Sequence, residues 1–163
     1  MKKIYTLDEL KTIIEKHKQG GNRVVLANGC FDLIHAGHIR YLKESKDRGD
    51  VLVVALNSDS SVRNLKGKGR PILLEKERGE IIASFFFVDY VTFFDEANVK
   101  RVLWALKPHV HAKGSDYTVD TVPERETVKE YGGEIAITGG PKIKSTSEVI
   151  KEIASKFKSE NES

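Results

Sequence analysis

Residues 51–56 form an uninterrupted apolar run, Val-Leu-Val-Val-Ala-Leu, between polar segments. A strand with one face in water would alternate apolar and polar side chains. This run is instead typical of a strand buried on both faces of a parallel sheet. Such a sheet needs helices on both of its faces, and this requirement restricts what the rest of the chain can form.

The rest of the chain alternates apolar runs with helical patterns, as a parallel sheet requires. The predicted strands lie at 23–28, 51–56, 90–94, 109–112 and 134–137. Helices are predicted between Thr6 and Gly20, at 37–48, in part of 57–71, at 75–87, at 96–106, at 122–131 with Pro123 in the first turn, and from Ser145 through Phe157. The sequence therefore predicts an α/β fold: a doubly wound, Rossmann-like five-stranded parallel sheet with helices on both faces.

The composition is that of a globular chain, with 163 residues, 39% apolar and 31% charged. We predict a single domain over 1–157 and a disordered tail over 158–163. A formal net charge of +3 is too small to indicate nucleic-acid binding. No apolar run is long enough to cross a membrane, and the N-terminus lacks a signal-peptide core. One cysteine excludes an internal disulfide. We therefore expect a cytoplasmic protein without nucleic-acid or membrane partners.

Four polar segments are expected to meet at one edge of the sheet. Doubly wound sheets bind ligands beyond the carboxyl ends of their strands, near the point where the strand order reverses. The segments predicted to reach that edge are 28–38, 57–71, 113–120 and 145–148. They carry many of the basic and hydroxyl side chains, so they form the predicted site.

The first of these segments, Asn28–His38, leads from a buried strand into a helix. A helix start has unpaired N–H groups and a partial positive charge, which together favour phosphate. Gly29 and Gly37 would let a ligand approach the backbone closely. His35 and His38 are three residues apart and share one face if both lie in the first turn. We predict a nucleotide-phosphate site; the alternative is a turn with incidental histidines.

The pattern Phe31-Asp32-x-x-His35-x-Gly37-His38 resembles the HxGH motif of the nucleotidyltransferase superfamily. Within that superfamily, the chain is similar to the adenylyltransferase domain of bacterial ADP-heptose synthases from about residue 10 to residue 153. The motifs that carry this similarity read Asn28-Gly-Cys-Phe-Asp-Leu-Ile-His-Ala-Gly-His38, Asn57-Ser-Asp59, Leu65-Lys-Gly67 with Arg70-Pro71, Val88-Asp-Tyr-Val91, Lys113-Gly-Ser-Asp-Tyr117 and Ser145-Thr-Ser147.

The resemblance implies an enzyme that joins ATP to D-glycero-β-D-manno-heptose 1-phosphate and releases pyrophosphate. A phosphate monoester has its second pKa near ~6, so the attacking oxygen is already anionic and no general base is required. The reaction needs in-line positioning and compensation of the phosphate charge. The resemblance assigns these catalytic roles to His35, His38 and Lys66. It also implies Mg²⁺ as cofactor, held largely by the nucleotide and water.

The resemblance divides the other site residues between the two substrates. Besides the two histidines, the implied nucleotide-binding residues are Asn28, Gly29, Cys30, Phe31, Gly37, Ser145, Thr146 and Ser147. The implied residues for the sugar phosphate are Asp32, Arg63, Lys66, Arg70, Lys113 and Asp116. Three alternatives stay open: a solvated loop at 66–70, a structural charge at Lys113, and a simple helix cap formed by Ser145 with Glu148.

The resemblance further implies a homodimer and dependence on a separate sugar kinase. Two other functions remain open: a cytidylyltransferase for glycerol 3-phosphate or another small phosphate acceptor, and a non-catalytic nucleotide-binding regulatory module. No protein metal site is predicted, because His109 and His111 alone would make a poor zinc site. Cys30 has no identifiable base partner, so no nucleophilic role is predicted for it.

Overall fold

The computed structural model describes residues 1–158, and the part of the predicted tail at 159–163 lies outside the described residues. In chain order the elements are α1 (Leu7–Gln19), β1 (Val24–Gly29), α2 (Ala36–Lys46), β2 (Val51–Asn57), α3 (Asp59–Lys66), α4 (Glu75–Ser84), β3 (Tyr90–Phe94), α5 (Lys100–Leu106), β4 (Val110–Gly114), α6 (Arg125–Glu130), β5 (Glu134–Thr138) and α7 (Thr146–Lys158). None of the helices in this described part is long and apolar enough to span a membrane.

The five strands form one parallel sheet in the order β3-β2-β1-β4-β5. β1 pairs with β2 on one side, where Val24 lies opposite Val51, and with β4 on the other, where Val25 lies opposite Val110. The predicted five-stranded α/β sheet is confirmed. The strand order reverses at β1, so the crevice between the ends of β1 and β4 is the expected position of a ligand.

Helices cover both faces of the sheet, as the apolar run of β2 predicts. Every residue of β2 is buried. Leu26 of β1 belongs to a buried cluster with side chains of α1 and α5, whereas its neighbour Val25 belongs to a second cluster with side chains of α2 and α4. Burial of one large apolar side chain contributes about 1.5–3 kcal/mol. The two clusters therefore hold the strands, and with them the loops at the carboxyl edge.

The helices before and after β3 are shorter than predicted. α4 ends at Ser84 instead of 87, because Phe85 leaves the helical conformation with a ψ of 125°. Phe86 follows it on the surface and is 88% exposed. α5 begins at Lys100 instead of 96. The apolar Phe85–Phe87 run forms the turn that leads into β3.

Two boundaries near the carboxyl edge also differ from the prediction. α6 begins at Arg125, so Pro123 precedes this helix and does not lie in its first turn. β4 continues to Gly114, since it pairs with β5 up to Gly114 opposite Thr138. Lys113 therefore lies on a strand and not in the loop that follows it.

The first residues of the chain pair with the outer edge of β3. Ile4 forms an isolated parallel bridge with Val91. The N–H of Tyr5 donates to the carbonyl of Val91 at 3.0 Å, and the N–H of Val91 donates to the carbonyl of Lys3 at 2.9 Å. The sequence pattern did not predict this contact, because a single bridge has no periodicity to detect.

Candidate active site

A cavity of about 270 Å³ opens at the carboxyl edge of the sheet. The predicted site residues that line it are Cys30, Phe31, Asp32, His35, Gly37, His38, Lys66, Arg70, Asp116, Ser145, Thr146 and Ser147. The predicted residues outside its lining are Asn28, Gly29, Arg63 and Lys113. The topology therefore brings the four predicted segments together, as expected.

The turn between β1 and α2 encloses a buried carboxylate. Phe31 and Leu33, on either side of Asp32, both have left-handed backbone conformations with φ of 50° and 48°. The Asp32 side chain is fully buried. The Thr146 hydroxyl of α7 donates to the backbone carbonyl of Asp32 at 2.6 Å. This bond links the start of α7 directly to the histidine turn.

Asp32 also fixes the segment that follows α3. Its carboxylate accepts the N–H groups of Ile72 at 2.7 Å and Leu73 at 3.0 Å, and the Nε–H of Arg70 at 3.0 Å. Burial raises the pKa of Asp32, but these hydrogen bonds outweigh it and hold the pKa below its ordinary value. Asp32 is therefore an ionised anchor that positions Arg70, and its carboxylate already accepts three hydrogen bonds.

His35 and His38 are oriented by backbone groups at the start of α2. Nδ1 of His35 accepts the N–H of Gly37 at 3.1 Å, and Nδ1 of His38 accepts the N–H of His35 at 3.3 Å. The two rings stack with their centroids 3.8 Å apart. In a neutral imidazole, an accepting Nδ1 leaves the proton on Nε2. Each ring thus has an Nε2–H donor that no other described residue engages.

Both histidines are neutral near pH 7. Burial lowers the pKa of His38 to about 4, with a further contribution from His35. Burial also lowers the pKa of His35. The nitrogen that could accept a proton, Nδ1, is occupied by a backbone N–H in both rings. The pair is therefore suited to donate hydrogen bonds to an anion and not to transfer protons.

Acid should destabilise the fold through His38. Its pKa is 6.5 in the unfolded chain and about 4 in the folded chain. Between these values the unfolded state binds the proton more tightly, so the free energy of unfolding falls as the pH is lowered from 6.5 towards 4. His38→Asn, which does not titrate there, should lose less stability between pH 7 and pH 5 in urea denaturation. Equal losses in both proteins would contradict this origin.

Gly29 and Gly37 make room for side chains of the protein. A Cβ on Gly29 would lie 3.0 Å from the Phe31 ring, and a Cβ on Gly37 would lie 2.9 Å from Cε1 of His35. Packing of the histidine turn therefore favours glycine at both positions, and the approach of a ligand to this backbone stays a prediction.

The start of α7 faces the cavity with a capped N-terminus. Ser145 caps the helix as predicted: its Oγ accepts the N–H of Glu148 at 3.2 Å, and the Glu148 carboxylate accepts the N–H of Ser145. One cap leaves other first-turn N–H groups without helical partners. With Thr146 and Ser147 also lining the cavity, this end of α7 offers hydroxyls and a partial positive charge to phosphate.

Two cations reach the cavity from the end of α3 and from the segment that follows it. Lys66 is the last residue of α3, and Arg70 is held by Asp32 as described above. Lys68, between them, does not line the cavity. Arg63, one turn earlier on α3, is exposed and also lies outside the lining. The predicted cationic loop is therefore represented in the cavity by Lys66 and Arg70.

The loop after β5, residues 139–144, was not among the predicted site segments, yet it lines the cavity. The first residue of the loop, Gly139, is held against α2. Gly139 has a φ of 100°, and a Cβ there would lie 3.1 Å from Cα of Tyr41. The N–H of Gly139 donates to the Glu44 carboxylate at 2.7 Å. The signal that could have identified this loop is its pair of lysines, Lys142 and Lys144, directly before the α7 cap.

Arg78 of α4 connects several parts of the site and was not predicted. Its side chain is fully buried. It donates to the backbone carbonyls of Cys30 at 2.6 Å, Asn57 at 2.8 Å and Leu73 at 3.0 Å, and to the Asp59 carboxylate at 2.9 Å. Arg78 therefore joins the histidine turn to the ends of β2 and of the 70–73 segment. A single arginine in a helical pattern gives no sequence signal for such a role.

Lys113 lies against a buried carboxylate and not in the cavity. Its side chain is 9% exposed, with Nζ 3.6 Å from Oε2 of Glu124. Nζ also donates to Oδ1 of Asn28 at 3.4 Å. Nε2 of the buried His111 lies 3.6 Å from the same Glu124 oxygen. Burial raises the pKa of Glu124, but His111 and Lys113 lower it to about 2. The geometry thus favours the structural alternative for Lys113 over a substrate contact.

The thiol of Cys30 lines the cavity without features of a nucleophile. Burial raises its pKa above the ordinary value, despite the nearby positive charges of Lys66, Arg78 and Arg70. A protonated thiol is a poor nucleophile. Cys30 therefore lies in the cavity wall, and the nucleotide contact that the resemblance implies for it stays a prediction.

Comparison with known proteins assigns the family. The cytidylyltransferase-like family model matches residues 26–159. The bifunctional protein HldE of Pelobacter propionicus is 45% identical over 155 residues, which cover 95% of this chain and 32% of that protein. The bifunctional protein HldE of Geobacter metallireducens is 46% identical over 151 residues, covering 93% of this chain and 31% of that protein. The chain thus spans about a third of the length of these curated relatives.

Two solved structures share the fold. A lipopolysaccharide core biosynthesis protein from Thermoplasma volcanium is 34% identical with a TM-score of 0.62, covering 72% of this chain and 94% of that chain. A pantoate–β-alanine ligase from Francisella tularensis has a TM-score of 0.61 at 16% identity, covers 90% of this chain and 69% of that chain, and shows the fold alone. The matched region contains every residue of the cavity lining. The chain therefore belongs to the cytidylyltransferase-like family of nucleotidyltransferases.

Proposed function

We propose that this chain is an adenylyltransferase that joins ATP to D-glycero-β-D-manno-heptose 1-phosphate and releases pyrophosphate and ADP-heptose. The family supplies the reaction class. The motif resemblance to ADP-heptose synthases and the 45% identity to a bifunctional HldE protein support the choice of substrates.

The observation that carries the proposal is the pair of neutral histidines that line the cavity, whose Nε2–H donors bind no other residue within 1–158. When the sugar-phosphate oxygen attacks the α-phosphorus of ATP, negative charge develops on the departing pyrophosphate. Preoriented donors stabilise such charge without reorganising during the reaction. His35 and His38 supply two such donors side by side. They are therefore the proposed catalytic residues, together with Lys66.

The surroundings of the histidines fit a reaction without a general base. A phosphate monoester already carries its second negative charge above about pH 6. The buried carboxylate of the site, Asp32, is engaged by Arg70 and two backbone N–H groups and has a lowered pKa, so it is a poor proton acceptor. Catalysis then depends on alignment and charge compensation.

The positions of the cations and hydroxyls in the cavity suggest which residues bind each of the two anionic substrates. We assign the ATP phosphates to the start of α7, where Ser145, Thr146 and Ser147 line the cavity. We assign the acceptor phosphate to Lys66 and Arg70, which reach the cavity from another loop.

Mg²⁺ fits this site as a partner of the nucleotide. Within residues 1–158, no group of three or more His, Cys, Asp or Glu side chains could hold a metal ion. Mg²⁺ commonly binds through phosphate oxygens and water, with few protein ligands. The ion would compensate phosphate charge while the chain's own lysines and arginine orient the substrates.

The proposal is tested by measuring pyrophosphate release from ATP, CTP and GTP against a panel of phosphorylated acceptors. We expect turnover with ATP and the heptose 1-phosphate. Turnover with CTP and glycerol 3-phosphate, and none with ATP and the heptose 1-phosphate, would replace the substrates. No turnover with any pair, accompanied by nucleotide binding, would favour a non-catalytic module.

Lys66 provides a prediction with a control in the same loop. Lys66→Ala should lower kcat/KM for the sugar phosphate by about tenfold or more, because a charge-assisted hydrogen bond to the phosphate is lost. Lys68→Ala removes the same charge from an exposed position outside the cavity. It should leave the kinetics unchanged. Equal effects of the two changes would indicate that only the net charge of the loop matters.

Three further expectations accompany the proposal. A homodimer, a separate sugar kinase that supplies the acceptor, and a cytoplasmic location all stay predictions.

A further inference from the structure

An ion pair bridges two loops that line the cavity. Asp116 follows β4, and Lys142 follows β5; both side chains line the cavity. Lys142 Nζ lies 3.3 Å from Asp116 Oδ1, and the side chains are 54% and 65% exposed. An ion pair this exposed adds little stability. Breaking this ion pair therefore costs little free energy when another anion binds Lys142 more strongly.

The loop that carries Lys142 is fixed at both ends. At the start, Gly139 is held against α2 by its contact with Tyr41 and by its hydrogen bond to Glu44. At the far end, the Thr146 hydroxyl is bonded to the Asp32 carbonyl of the histidine turn. Lys142 therefore lies on a short segment beside the cavity, and both ends of that segment are held in place. Its ammonium can reorient by side-chain rotation without displacement of either end.

The two lysines of this loop differ in their partners. Lys144 Nζ bonds the Glu152 carboxylate of α7 at 2.6 Å, and Glu152 lies outside the cavity lining. Lys142, in contrast, pairs with a carboxylate that itself lines the cavity. Of these two lysines, Lys142 is thus the one whose ammonium pairs with a side chain of the cavity lining. It lies three residues before the hydroxyl-rich start of α7.

We propose that Lys142 is a nucleotide-binding residue that exchanges Asp116 for the polyphosphate of the bound nucleotide. A polyphosphate offers several anionic oxygens in place of one carboxylate, and its hydrogen bonds to an ammonium are charge-assisted. The exchange also frees Asp116, whose carboxylate can then accept hydrogen bonds from the second substrate. This inference rests on the proposed function.

The test measures equilibrium binding of α,β-methylene ATP by calorimetry, without acceptor, in wild type and in Lys142→Ala, Asp116→Asn and the double variant. Lys142→Ala should weaken binding about tenfold. Its affinity should also depend less steeply on salt, because one ionic contact is missing. Asp116→Asn should bind at least as tightly as wild type. The double variant should bind as weakly as Lys142→Ala.

Lys151→Ala is the matched control. Lys151 is an exposed lysine of α7 outside the cavity lining, and its removal should not change binding. Wild-type affinity in Lys142→Ala would overturn the proposal. So would wild-type affinity in the double variant, since Lys142 would then only neutralise Asp116.

Failure of this inference is distinguishable from failure of the proposed function. A wild-type chain that binds and turns over ATP, with Lys142→Ala unaffected, refutes the role of Lys142 alone. A wild-type chain that neither binds the analogue nor releases pyrophosphate refutes both.

Discussion

Replacement of His38 by alanine should lower the rate of pyrophosphate release by about 10²–10³, the usual effect of losing one preoriented donor to a developing negative charge. His38 stacks on His35 and lines the cavity, and its Nδ1 also accepts the N–H of His35. Alanine removes both the Nε2 donor and this acceptor. Steady-state kinetics should show the loss in kcat, and circular dichroism should show a folded protein.

Two further substitutions separate the functions of the His38 ring. Asparagine can place an oxygen near the position of Nδ1, so it retains an acceptor for His35 but lacks the Nε2 donor. Glutamine reaches further and can place an N–H near the position of Nε2. We expect His38→Asn to be as inactive as His38→Ala and His38→Gln to recover part of the rate. Full activity in His38→Asn would refute the donor role.

Replacement of Arg78 by alanine should destabilise the fold by about 3–5 kcal/mol, the range expected when one member of a buried ion pair is removed. The change leaves the Asp59 carboxylate and the carbonyls of Cys30, Asn57 and Leu73 without this donor. It also leaves space that the fully buried side chain had filled. Urea denaturation should show the loss as a lower midpoint.

Two milder variants keep the Arg78 prediction testable if alanine prevents folding. Arg78→Lys retains the charge but not the fork of donors, so it should recover only part of the stability. Asp59→Asn removes the charge partner, which is partly exposed, and leaves the Cys30 contact in place. It should cost less than Arg78→Ala. Equal costs would place the stabilisation in the ion pair and not in the carbonyl contacts.

The features that the sequence predicts well depend on neighbouring residues. The apolar run of β2 indicates burial on both faces because each of its side chains is apolar. His35 and His38 meet because helix geometry brings residues three apart together, and the backbone groups that orient their rings belong to the start of α2 alone. Ser145 and Glu148 form the predicted cap for the same reason. In these cases local geometry is enough to predict the contact.

The features that the sequence missed depend on contacts between distant segments. Arg78 donates to Cys30, which is 48 positions earlier in the chain. No spacing rule relates the two residues. Lys113 was expected in a loop, but β4 reaches it because Lys113 pairs with Ile137 of β5. Its ammonium then meets Glu124, which precedes α6. The sequence shows the lysine at position 113, but the groups that surround its ammonium depend on how the strands assemble into the sheet.

The bridge between Ile4 and Val91 also bears on how one edge of the sheet is protected from unwanted strand pairing. β3 is the last strand on its side of the sheet, and an open strand edge is a template for pairing with a second chain. The backbone of Lys3 and Tyr5 occupies the hydrogen-bonding groups of Val91 at this edge. Removal of the first few residues would leave that edge free to accept a foreign strand. The N-terminal segment therefore covers part of an exposed strand edge, in addition to its place in the fold.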